Sequence, residues 1–130
     1  MPTTNTSAGN NVGEFTLRFD VDITAAGPGT VAAQRGDGYV AARTGAGIYT
    51  ITPVAGQLRS TGAALLPFTE VLDRKVQLTQ ATPTAFWATI TGVVASTGVI
   101  TVKLLQANAS PAVTEIGADG TFSGSVTFRL

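Results

Sequence analysis

No cysteine and no histidine occur anywhere in the 130-residue chain. Their absence removes disulfides, thiol nucleophiles, zinc sites of the usual ligand set and every triad that relies on imidazole as base. Charge is scarce as well: eight basic residues balance eight acidic ones, and charged residues make up 12% of the chain. A net charge of zero carries no signature of a nucleic-acid binder, and it does little to resist association with another protein surface. No apolar run reaches the roughly 18 residues of a membrane-spanning helix, so neither nucleic acid nor membrane is an expected partner. The opening MPTTNTSAGNNVG has no basic stretch followed by an apolar one, so it is not read as a secretory signal. Residues 1–13 are expected to form a flexible polar arm, and the product to be made in a cytoplasm.

What the chain does have is alternation. In EFTLRFDVDI, Phe15, Leu17, Phe19, Val21 and Ile23 alternate with Thr16, Arg18, Asp20 and Asp22, the period of a strand with one apolar and one charged face. Gly27, Pro28 and Gly29 then break the strand. Residues 31–34 suit a short strand, and RGDG at 35–38 is a turn by composition. YVAAR and IYTITP flank Thr44-Gly45-Ala46-Gly47, the mark of a hairpin in which Gly45 and Gly47 are structural turn residues. A phosphate-cradling loop would need a helix directly after the glycines, whereas β-formers and Pro53 follow.

Further on, a short strand is expected at residues 63–66, ended by Pro67, and another across RKVQLTQ. A long hairpin is expected with arms Phe86–Val94 and Val99–Gln106. ASPAVTEIGADG reads as a loop, and TFSGSVTFRL as a closing strand with Phe122, Val126 and Phe128 at even spacing. Seven or eight short strands without an amphipathic helix predict an all-β fold: a jelly roll or β-sandwich of antiparallel strands, one domain over residues 14–130.

Chemistry has few footholds. Asp20 and Asp22 share a strand face, but calcium takes six or more oxygens, and an acid/base pair needs environments that separate the two pKa values. The preferred reading is a solvated face, and next a salt bridge to Arg18 or to a neighbouring subunit. RGD at 35–37 matches a tripeptide read by some integrins, although Gly38 already explains a turn there. Phe86 and Trp87 point to opposite faces of one strand, which would leave one of them for an interface or a sugar-stacking platform; both faces covered, as in a sandwich with an oligomer contact, is the reading preferred over carbohydrate binding. Serine and threonine are plentiful, yet no base can be named to activate them. No catalytic, cofactor-binding or metal-binding residue is assigned, and the chain is not expected to be an enzyme. The preferred contact residues are Thr3, Thr4 and Asn5 in the arm and Arg35, Gly36 and Asp37 in the RGD loop.

GYVAARTGAGIYTITP resembles the Arg-Thr-Gly-x-Gly-x-Tyr-x-(Ile/Val)-Thr hairpin of small β proteins in tailed bacteriophage particles, namely head decoration (cement) proteins and related head-fibre or tail-associated modules. The order of parts is similar too, with a long first strand, the glycine hairpin, a TPTAFWATI strand and a last strand ending VTFRL. The resemblance implies a homodimeric or homotrimeric virion protein on the outer capsid surface. There it would bind the major capsid protein, bridge capsomers and stabilise the shell without a cofactor. The alternatives are a phage fibre or tail-associated module and, in another class, a carbohydrate-binding module.

Overall fold

The computed structural model describes residues 14–23, 31–54, 70–80, 86–106, 112–113 and 120–129. They form nine strands: β1 (Glu14–Ile23), β2 (Val31–Arg35), β3 (Tyr39–Gly45), β4 (Ile48–Pro53), β5 (Glu70–Gln80), β6 (Phe86–Val94), β7 (Val99–Gln106), β8 (Ala112–Val113) and β9 (Gly120–Arg129). Every pairing is antiparallel, and no helix occurs among the described residues. The first sheet has the order β2-β1-β9-β5; the second has the order β3-β4-β7-β6, with β8 added beside β7. This is the expected all-β sandwich. The two-residue β8 lies inside the stretch read as a loop. The arm over residues 1–13, with Thr3, Thr4 and Asn5, and the strand expected at residues 63–66 lie outside the described residues.

The alternation in the sequence decides which face is buried. On β1, Phe15, Leu17, Phe19, Val21 and Ile23 all point inward, and opposite them on β9 stand Phe122, Val126 and Phe128. The second sheet answers with Tyr39, Tyr49, Ile51, Ile100, Val102 and Leu104 in the same cluster. Phe122 joins the layers: its ring lies 6.2 Å from that of Phe19 in its own sheet and 5.3 Å from that of Tyr49 across the core. Each large side chain buried in this way favours the folded chain by about 1.5–3 kcal/mol relative to exposure.

The hairpin turns follow from glycine, with one refinement. Gly47 (φ 65°) turns β3 into β4 and Gly98 (φ 74°) turns β6 into β7, both in the left-handed region that side chains resist. Gly45 takes no positive φ; it occupies a bulge in the β3–β4 ladder, where an added Cβ would meet Ile48 at an ordinary 3.5 Å. Gly47 also extends the second sheet, because its carbonyl accepts the Leu104 N–H at 2.9 Å.

Gly124 on β9 is required for a different reason. A Cβ there would stand 2.1 Å from the Lys75 carbonyl oxygen and 2.9 Å from the Val76 Cα, both backbone atoms of β5. Gly124→Ala should therefore push β5 away from β9 and destabilise the fold by about 1–3 kcal/mol. Gly45→Ala should stay within about 0.5 kcal/mol of the parent. Urea unfolding midpoints of the two variants check this, and equal midpoints would contradict the close approach at Gly124.

Candidate interaction face

Where β2 hands the chain to β3, a polar corner joins the two sheets. The Gln34 side chain acts as a substitute ladder rung, donating to the Tyr39 carbonyl at 2.7 Å and accepting the Ala41 N–H at 3.0 Å. The Tyr39 ring is buried in the core while its hydroxyl accepts the Asp20 N–H at 3.0 Å and donates to the Arg35 carbonyl at 2.5 Å. Burial pushes the Tyr39 hydroxyl pKa above its ordinary value, since the phenolate would lose its water. Gly36 (φ 85°) and Gly38 (φ 89°) let the chain bend tightly between these anchors.

Arg35 spends its guanidinium on the two aspartates. Its Nε and Nη2 donate to Asp20 at 2.9 and 3.0 Å, and its Nη1 and Nη2 donate to Asp22 at 2.8 and 2.7 Å. Thr121 adds a hydroxyl donor to Asp22 at 2.7 Å, so the cluster ties β2, β1 and β9 together. These donors hold the Asp22 carboxyl down at about 2, with the Arg35 hydrogen bond the main cause and Thr121 next. Asp22 therefore stays ionised near neutral pH, the opposite of what a general acid needs. The side chains are a third to a half exposed, and solvent screening keeps such a pair weak.

The two carboxylates share one strand face, as expected, and both are bonded to Arg35. The same contact engages the arginine of the RGD tripeptide, while the Asp37 Oδ1 is buried without a donor among the described residues. Arg35, Gly36 and Asp37 lie at the corner between β2 and β3. Among the described residues no three metal-ligating side chains converge.

The outer faces of the two sheets differ sharply. Across the first sheet run the rungs Glu14–Arg129–Glu70, Arg18–Ser125–Lys75 and Asp20–Ser123–Gln77, with Arg129 bonded to Glu70. Across the second run Ala42–Thr50–Thr101–Gly92 and Ile48–Lys103–Thr89, bordered by Trp87–Leu105 and Val94–Val99. Lys103 is the one charge among the described outward residues of that sheet, and Val40, Val94 and Trp87 are exposed there at 53%, 51% and 38%. Trp87 stands opposite Leu105 in the β6–β7 ladder; the Phe86 side chain lies outside the described residues.

The sheet edges are guarded. Each pairing that involves a long edge strand, β1–β2, β3–β4, β5–β9 and β6–β7, contains a register shift, while the interior pairings β1–β9 and β4–β7 contain none. Arg43 on β3 and Arg74 on β5 stand at core-facing positions of their strands, opposite Tyr49 and Val126. Bulges and inward charges are devices that stop a free edge from accepting another strand. Between the edges of β5 and β6 lies a shallow cleft of about 290 Å³, lined by Arg74, Lys75, Val76, Ala88, Thr89 and Ile90.

The sequence reading placed contact in the loops and the arm and did not single out the weakly charged face. Its signal was parity: on the strands of the second sheet, the positions between the buried residues are mostly threonine, alanine and valine. Comparison with known proteins finds no family model, no curated protein and no solved structure that matches the chain.

Asp22 binds a proton near pH 2 when folded and nearer its ordinary 3.8 when unfolded, so its contribution is present above that range and lost as pH falls through it. Asp22→Asn should lower stability by up to about 1 kcal/mol at pH 6. The gap to the parent should close toward pH 2, as urea unfolding at the two pH values measures. A gap that persists unchanged at pH 2 would assign the effect to packing instead of charge.

Proposed function

We propose that the chain is a structural interaction protein, a decoration protein on the outer surface of a tailed-phage head that binds the major capsid protein and stabilises the shell. The observation that carries this reading is the contrast between the outer faces, one crossed by ion pairs and one nearly free of charge. A charged face is well solvated. A broad face of threonine, valine and alanine loses little on leaving water and gains contact area when covered. Guarded edges turn association away from strand addition and toward that face.

The resemblance of the Arg43–Thr52 segment to the phage-particle hairpin supplies the setting, and mass action supplies the effect. A protein that binds the assembled shell but not its separated subunits stabilises the assembly. The inward-facing Tyr49 and the turn glycine of that hairpin are structural in this reading; they build the sheet whose outer side makes contact.

Quantifying the chain against the major shell protein in purified particles tests the proposal. A copy number equal to that of the shell subunit, or a simple fraction of it, is expected. A handful of copies per particle would favour a fibre or tail-associated module. Absence from particles, together with glycan binding that disappears in Trp87→Ala, would transfer the chain to the carbohydrate-binding class.

A further inference from the structure

Lys103 sits near the middle of the second sheet's outer face, on an inner strand. Its rung is completed by Ile48 on one side and Thr89 on the other. The neighbouring rungs carry Thr50 and Thr101 toward one end and Trp87 and Leu105 toward the other. Among the described residues no carboxylate shares this face. From strand spacing and rise, four strands of this length present a surface about 19 Å by 27 Å, on the order of one side of a standard protein interface.

Resting on the shell-binding reading, we propose that this face docks onto a different protein that presents an Asp or Glu carboxylate to Lys103, and that it does not dock onto a second copy of this chain. Charge complementarity decides between the two occupants. Covering the face strips water from the ammonium group, and a desolvated cation must find a counter-charge. Two copies related by a two-fold through the middle of the face would offer each Lys103 only the same patch of the partner, which holds another Lys103 and threonine hydroxyls. A foreign surface with a carboxylate at that point meets the requirement with one charge-assisted hydrogen bond. The surrounding Val, Thr and Trp side chains then exclude water from the pair, which strengthens it and fixes register more than area alone does.

The test is zero-length carbodiimide cross-linking of intact purified particles, read by peptide mass spectrometry. This chemistry joins an amine to a carboxylate already in ion-pair contact. Lys103 joined to an Asp or Glu of the shell protein is expected, with Lys75 on the opposite face joined at most to Asp73, 3.9 Å away. Lys103→Glu should reduce the copies retained on shells by about 10-fold or more, and Lys103→Arg should retain them. Both variants should keep the parent's unfolding midpoint. Lys103 joined to a carboxylate of another virion protein would uphold the pairing and overturn the shell protein as partner. Lys103 joined to a second copy, or unreactive in particles that contain the chain, would overturn the inference and leave the shell-binding reading standing. Absence of the chain from the particles would overturn both.

Discussion

Ten unbroken rungs between β1 and β9, from Glu14–Arg129 to Ile23–Gly120, are the constraint on which the rest of the sandwich depends. They place Phe15 opposite Phe128, Leu17 opposite Val126 and Val21 opposite Phe122, so one sheet's inner layer is set by a single register. A slip of one residue would turn every one of these side chains to solvent and every charge inward. β2 and β5 then attach to the two flanks. The pairing joins strands far apart in the chain, so it bears the loop-closure cost that local hairpins avoid. The β3–β4 and β6–β7 hairpins are local by contrast, and they meet through β4 and β7 to form the second layer.

Much of this was legible because side-chain alternation reports burial directly. β1, both hairpins and β9 stand where alternation and turn glycines put them, and the buried set on β1 matches the apolar residues of EFTLRFDVDI one for one. What escaped was information carried by pairing between distant segments. Nothing local in RGDG says that Arg35 reaches Asp20 and Asp22, because that contact needs β2 laid against β1 in one particular register. The same holds for Gly124, whose lack of a side chain matters only once β5 crosses close to it. Gly45 and Gly47 looked equivalent in sequence, yet backbone geometry demands only the second. The contrast between outer faces was present in the parity of the residues but acquires meaning only after the strands are sorted into sheets.

The zero net charge of the chain conceals a strong internal segregation. Ion pairs concentrate on one side of the sandwich, where Arg35, Asp20, Asp22, Glu70 and Arg129 are engaged with one another. Among the described residues the opposite side carries Lys103 and a field of small β-branched residues. Bulged edges and core-facing arginines belong to the same design, for they restrict growth of either sheet without adding charge to the quiet face. A protein built this way is directional: it has a side that prefers water and a side that tolerates losing it.

The rung that opens the β1–β9 ladder also closes it, since Glu14 at the start of β1 stands beside Arg129 at the end of β9, and Arg129 is held in turn by Glu70. Chain entering the sandwich and chain leaving it therefore pass through one point on the rim of the charged sheet. A linker joining Glu14 directly to Arg129 would span little more than one strand spacing, about 5 Å. The described sandwich, from Glu14 to Arg129, is thereby open to circular permutation at the rim of its charged sheet.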